Sequence, residues 1–363
     1  MRILGDMMRI VVDINHPADV HCFKNFIWEM EKRGHEILIT ASNKEVSYSL
    51  LDNYGFPYVK LGSYGTSLLE KMVNIPLLDI RMYRKVKKFK PDIFLGFGSI
   101  RAAHVSFLLK KPCINLEDTE HSTGQIRLYL PFVKVVCTPS CYSQNLGKKQ
   151  IRFNGYLELA SLHPHYFTPD PAVLREIGLK EGDPFIIVRF VAWRASHDIG
   201  QHGITDKVTF VKELEKYGRV LITSEETLSD ELKAYQIRVS PEKVHNLLYY
   251  ATLYVGEGAT MATEAALLGT PSILISSLVG TMGNFIELEE KYDLIYSFPD
   301  PEAALQKALD ILQDPSSKEI WAGKRERVLK EKIDVTTFLV RFIENYPQSF
   351  IEMKNHQDAG KNQ

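Results

Sequence analysis

Cysteine is scarce in this chain: four residues in 363, Cys22, Cys113, Cys137 and Cys141, with no Cys-x-x-Cys pair among them. So large and cysteine-poor a chain does not read as a disulfide scaffold, and a reducing cytoplasm is the expected setting. No apolar run approaches the ~20 residues that span a bilayer, and the N-terminus has no secretory hydrophobic core. Neither sign of charge is in excess, 44 Lys and Arg standing against 45 Asp and Glu. That leaves no field to gather nucleic acid, and no nucleic-acid-binding motif is present. His16 and His21 are five apart, off the i, i+4 pairing of helical metal ligands, and no Cys or Asp completes a zinc spacing. No metal is expected. The first strand is not followed by Gly-x-Gly-x-x-Gly, so a dinucleotide is not indicated.

What is there is an ordinary globular composition, 45% hydrophobic and 25% charged, in a chain long enough for two cores. Met-Arg-Ile occurs at 1–3 and again at 8–10, which marks Met8 as an alternative start. From there 9–14 reads as a buried strand, 15–21 as a loop, 22–33 as a helix stopped by Gly34, and 35–41 as a second strand. Helices near 44–54, 67–89 and 99–110 alternate with strands near 57–61, 91–96, 112–116 and 133–138. The polar, proline-bearing stretch 163–171 reads as a linker. A second alternation begins at Pro184, with strands at 185–190 and 219–223, helices at 206–217 and 241–250, and later helices near 301–313, 316–331 and 335–345. Repeated β-α-β predicts parallel sheets covered on both faces. The expected plan is an α/β protein with domains at 8–165 and 170–346 and a flexible tail at 347–363.

One stretch organises the second half. Leu253-Tyr254-Val255 breaks into Gly256-Glu257-Gly258, continues as a small-residue helix from Ala259, and stops at Gly269 before a further apolar run. Glycines at a strand-to-helix turn permit close backbone approach, and the first free N–H groups of the helix favour an anion. A phosphate fits at Gly258, Ala259 and Thr260. Glu264, on the second turn, is placed for a ribose whose phosphates sit at the helix start. The same letters also serve any tightly packed α/β unit.

In the first domain Glu117, Asp118, Glu120 and His121 follow directly on a strand, so they fall at the carboxyl end of the sheet. Carboxylates beside a histidine, partly screened from water, suit acid and base work. Arg81 to Lys90 packs positive charge around Met82, Val86 and Phe89 at i, i+4 and i+7. Such a helix either lies on an anionic membrane or shows a solvated face beside a core stripe.

The segment Gly258-Ala259-Thr260-Met261-Ala262-Thr263-Glu264-Ala265, with Gly269-Thr270-Pro271, resembles the donor-binding segment of GT-B enzymes, the MurG-type glycosyltransferases and UDP-N-acetylglucosamine 2-epimerases. The chain from Arg9 to about Tyr346 also resembles the family catalogued as DUF354, on the runs 13–21 (DINHPADVH), 32–36 (KRGHE), 117–122 (EDTEHS) and 189–198 (RFVAWRASHD). The resemblance implies a GT-B fold, two Rossmann-like doubly wound domains facing a central cleft, with donor in the second and acceptor in the first. It implies a nucleotide-diphosphate-sugar-dependent glycosyltransferase serving surface glycan or glycolipid synthesis, with the sugar nucleotide, UDP-linked, as substrate and no cofactor. A UDP-sugar 2-epimerase and a non-catalytic sugar-nucleotide-binding protein are the alternatives. By the same resemblance Glu117, Asp118, His121 and His16 are catalytic candidates. Asn15 and His21 face the acceptor, Arg194 and His197 the diphosphate, and Asn284 the nucleotide. The His-Arg-Arg-Glu run of the epimerases is absent, which weighs against epimerisation. The expected partners are the donor and a glycan or lipid-linked acceptor, with peripheral contact at the inner face of a membrane. The oligomeric state is left open.

Overall fold

The computed structural model describes residues 7–65, 67–191 and 203–360. The chain divides into two compact units, one holding the residues up to Tyr166 together with those from Ile333 onward, the other Phe167–Lys332.

The first unit is built on a seven-stranded sheet: β1 (Arg9–Ile14), β2 (Glu36–Ser42), β3 (Tyr58–Gly62), β4 (Ile93–Phe97), β5 (Cys113–Leu116), β6 (Val135–Pro139) and β7 (Gln150–Phe153). All neighbours pair in parallel, in the order β3-β2-β1-β4-β5-β6-β7. The strands are continuous apolar runs because helices cover both faces, and Ile10, Val11, Val12, Phe94 and Ile114 are fully buried. Strand order reverses between β1 and β4, the point at which doubly wound sheets take ligands.

The helix after β1 spans Pro17–Lys32 and so begins five residues before the expected start. Its local chemistry accounts for this. His16 caps it by accepting the Ala18 N–H, Pro17 opens it, and Asp19 returns a carboxylate to the backbone N–H groups of Asn15 and His16. His21 is therefore a buried helical residue, not a loop residue.

The expected boundaries are corrected at the C-terminus. Helices Val335–Glu344 and Gln348–Gly360 belong to the first unit, not to the second domain and a tail. Thr336 Oγ1 donates to the Ala160 carbonyl at 2.7 Å, and Phe338 stacks on Phe153 of β7. Lys354 and Gln357 donate to the carbonyls of Gln150 and Arg152. The apolar face Val335, Leu339, Val340, Ile343 is buried in this arrangement.

On the helix Leu68–Phe89 the apolar stripe of the basic end is a core stripe: Met82 and Val86 join Leu78 in the core, with Phe89 packed against it. Its opposite face is less ordinary. Val73, Leu77 and Ile80 are exposed, and they lie at i, i+4 and i+7 in line with the exposed Arg84 and Lys88.

The second unit carries a five-stranded parallel sheet: β8 (Phe185–Phe190), β9 (Arg219–Ser224), β10 (Leu253–Gly256), β11 (Ser272–Ile275) and β12 (Ile295–Phe298), in the order β12-β11-β10-β8-β9. Here the order reverses between β8 and β10. The helix Ala259–Leu267 sits close to the sheet because Ala262, Ala265 and Ala266 have nothing bulkier to place there. Gly269, at φ +83°, ends it.

Candidate functional site

At the reversal point of the first sheet, β1 ends in a fully buried Asp13. Arg101, equally buried, pairs with both its oxygens at 2.9 and 3.1 Å. Ser99 and Thr40 each donate a hydroxyl at 2.6 Å, and Asn15 donates from Nδ2 at 3.1 Å. Arg101 also reaches Ser42 and the Asn15 side-chain oxygen. Every lone pair is engaged, so this network fixes the loop after β1 and leaves Asp13 no free charge to spend on a substrate. Sequence reasoning missed it, because an arginine inside an apolar helix gives no local sign of its partner.

Asn15 is thus half a structural residue. His16 is exposed, caps the helix and has Glu45 3.7 Å from Nε2. His21 is buried, its Nδ1 3.4 Å from the Tyr54 hydroxyl. Burial pushes the Asp19 carboxyl up to about 8, the Asn15 and His16 N–H groups offsetting it only in part.

The carboxylate loop lies where the sequence put it, directly after β5. Glu117 is 2% exposed, accepting the Thr119 N–H at 3.0 Å and the Tyr129 hydroxyl at 2.7 Å. Burial pushes it up to about 8, so it holds a proton at neutral pH. Asp118, half-buried, accepts the Thr119 hydroxyl and is also shifted upward, first by burial, with the Glu120 charge adding. Glu120 is buried and accepts the Ser143 N–H, while His121 is half-buried beside it. The hydroxyl of Tyr142, a buried side chain, has no hydrogen-bond partner among the described residues, and the charges of Glu117, Glu120 and Asp118 all bear on it after burial. The buried Cys22 thiol is pushed up first by burial and then by the charges of Asp19, Asp118 and Glu158. The structure thus brings Asn15, His16, His21, Glu117, Asp118 and His121 onto the same edge of the first sheet.

In the second unit β10 runs into Gly256-Glu257-Gly258 and the helix. A Cβ at Gly256 would stand 2.5 Å from the Arg189 carbonyl oxygen, so only glycine lets β10 lie this close to β8. The helix N-cap is Gly258, no side chain among the described residues caps the helix, and its first turn carries no acid. The turn through Gly258, Ala259 and the exposed Thr260 thus presents N–H groups and a positive helix end that no described side chain caps.

Glu264 is more enclosed than expected: 6% exposed, with Oε1 3.0 Å from Nε2 of the buried His245 on helix Val244–Tyr250. Asn284 is buried on the short helix Gly283–Ile286. Arg194 and His197 lie outside the described residues.

A residue the sequence reading passed over is Glu257. It is buried, and its two oxygens accept the N–H groups of Val191 and Ile204, both at 2.8 Å. It thereby pins both ends of the segment that contains Arg194 and His197. The signal was a carboxylate set between two turn glycines.

The model of the family described as protein of unknown function, DUF354, matches residues 8–341. An uncharacterised protein of Methanocaldococcus jannaschii is 26% identical over 275 residues, covering 72% of this chain and 80% of that one. Among solved structures, a Listeria monocytogenes protein assigned as a UDP-N-acetylglucosamine 2-epimerase superposes with a TM-score of 0.63 at 14% identity, covering 89% of this chain and 95% of that one. The spinosyn forosaminyltransferase SpnP superposes at 0.60 and 13% identity, covering 93% and 100%. At such identities the likeness is one of fold, and the fold is the expected GT-B type.

Proposed function

The chain belongs to the DUF354 family, whose description leaves activity open, and we propose that it is a nucleotide-diphosphate-sugar-dependent glycosyltransferase acting in surface glycan or glycolipid synthesis. The observation that carries this reading is the uncapped, glycine-lined helix start at Gly258-Ala259-Thr260, at the carboxyl end of β10 beside the reversal point of its sheet. Such a terminus suits a diphosphate, both in the ground state and as a departing group that gathers charge. Glu264 then reads the ribose from the same helix, with His245 holding its carboxylate in place.

The first unit supplies the proton chemistry. Glu117, protonated at neutral pH, is an acid, and the more accessible Asp118 is the base for an acceptor hydroxyl, with His16 and His121 nearby on the same edge. The unpartnered Tyr142 hydroxyl offers that edge one more donor.

An acid and a base side by side also favour a second reading, a UDP-sugar 2-epimerase that eliminates and re-adds the nucleotide. A panel of UDP-, GDP-, CDP- and dTDP-sugars, with and without acceptor, separates the possibilities. Transfer or release of nucleoside diphosphate supports the first reading. Deuterium exchange at C2 supports the second, and binding without turnover leaves only a carrier or sensor.

The protein is proposed to work in the cytoplasm, against the inner face of a membrane where a lipid-linked acceptor would be presented. No helix among the described residues is long and apolar enough to cross a bilayer. The exposed Val73, Leu77 and Ile80, continued by Arg84 and Lys88, are the chemistry of a surface contact with anionic lipid.

A further inference from the structure

We infer that His163, His165 and Asp334 form a binding site for a borderline divalent cation such as Zn2+, at the place where the chain leaves the first unit and returns to it. His163 and His165 flank Pro164 just before Tyr166, and Asp334 follows Ile333, where the first unit resumes. Two segments 169 residues apart in sequence thus present ligands to one point.

The three donor atoms lie within 4.8 Å of one another. His165 Nδ1 is 2.8 Å from Asp334 Oδ2, and His163 Nδ1 is 4.0 Å from the same oxygen. Zinc bonds to nitrogen and oxygen of ~2.0–2.2 Å set tetrahedral donors roughly 3.4 Å apart. Of the two His–Asp separations one must therefore open and the other close by about 0.6 Å, and the His–His separation, within 4.8 Å, must close by up to about 1.4 Å. Side-chain rotation supplies this, since the His165 side chain is 70% exposed. Asp334 is aimed in advance: Oδ1 accepts the Thr337 N–H at 2.9 Å and Oδ2 the Thr337 hydroxyl at 2.8 Å. His163 Nδ1 accepts the His165 N–H at 3.3 Å, a long contact that the ring gives up when it turns this nitrogen to a metal.

Two imidazoles and a carboxylate select Zn2+, Co2+ or Ni2+ over Mg2+ and Ca2+, which prefer oxygen shells. Three protein donors leave a fourth position for water. A bound ion would staple the end of 163–165 to the first turn of helix Val335–Glu344, joining the two chain segments that lead to and from the other unit.

Titration of the intact protein with Co2+ and then Zn2+ tests the site. One Co2+ per chain should bind with the visible bands of a four-coordinate N/O centre. Zn2+ should displace it, excess Mg2+ or Ca2+ should not, and Zn2+ should raise the melting temperature. Asp334→Asn should lower the affinity at least tenfold without lowering the metal-free melting temperature, because Asn caps a helix as well as Asp. His165→Asn, at an exposed ring, should do the same and carries the test if Asp334→Asn perturbs folding. His356→Asn, on the exposed final helix, should change nothing. Failure of the wild type to bind one ion per chain, or affinity untouched by the Asp334 and His165 substitutions, overturns the site.

Discussion

Raising the pH should weaken the first unit, and Glu117→Gln should remove part of that sensitivity. Glu117 is buried, and burial lifts it from the ordinary 4.5 to about 8 against the pull of Thr119 and Tyr129. The folded protein therefore keeps a proton through a window in which the unfolded chain has lost it. The stability linked to that proton is complete below the unfolded value and is lost as pH climbs through about 8. The slope is about 1.4 kcal/mol per pH unit for one such group, which bounds the loss between pH 5 and 8 at about 4 kcal/mol. Asp19, lifted to about 8 mainly by burial, acts with the same sign, and Asp118, lifted to about 6, adds to the slope below that value, so between pH 6 and 8 the wild-type slope has two main contributors of similar size. Glutamine carries no proton to lose. Its oxygen can accept the Thr119 N–H and its NH2 can donate to the Tyr129 oxygen, so the local hydrogen bonds persist. Urea unfolding of wild type and variant at pH 5, 6, 7 and 8 provides the assay. Between pH 6 and 8 the variant should lose stability about half as steeply, the gap widening in its favour by a few kcal/mol towards pH 8. Parallel curves would refute the buried, protonated Glu117 on which the acid role depends.

Other outcomes follow from the same geometry. Arg101→Met leaves Asp13 buried without its cation and should cost about 3–5 kcal/mol; a loss no larger than that of a surface pair would contradict the network. Gly256→Ala drives a Cβ into the Arg189 backbone and should cost roughly 1–3 kcal/mol while weakening nucleotide binding, whereas Gly323→Ala, with open space around it in a helix, should be neutral or stabilising. Intact protein should sediment with anionic vesicles more than with neutral ones, less so at high salt, and Leu77→Ser with Ile80→Ser should abolish that preference. Equal sedimentation with both vesicle types would remove the membrane contact.

Alternation of apolar runs and amphipathic stretches made most of both sheets legible, because parallel strands covered on both faces leave long hydrophobic signatures. β7 and β12 escaped notice: Gln150–Phe153 and Ile295–Phe298 are four-residue edge strands with mixed polarity. The final helices were misallotted because sequence order says nothing of which core an amphipathic face will cover. The turn at Gly258 and the carboxylates after β5 were readable because motif and function are local there. The partners Arg101, His245 and Glu257 were not, since each is defined by a contact to a residue 19 or more positions away. His21 lies on the helix and not in a loop because His16, Pro17 and Asp19 cap and open that helix, a local chemistry that hydrophobic periodicity does not register.

The most direct measurement of the central claim is calorimetric titration of the intact protein with UDP, GDP, CDP and dTDP, repeated on Glu264→Gln. The account predicts one nucleoside diphosphate bound per chain. In the variant the affinity should fall by about 1–3 kcal/mol, the scale for hydrogen bonds to a charged group, in a protein that thermal melting still shows to be folded. The loss should be nearly absent for a 2′,3′-dideoxy nucleotide, because the ribose contact is then already missing. Binding of none of the four by the wild type, or a variant with lowered melting temperature and unchanged affinity, would contradict it and return Glu264 to a structural pair with His245.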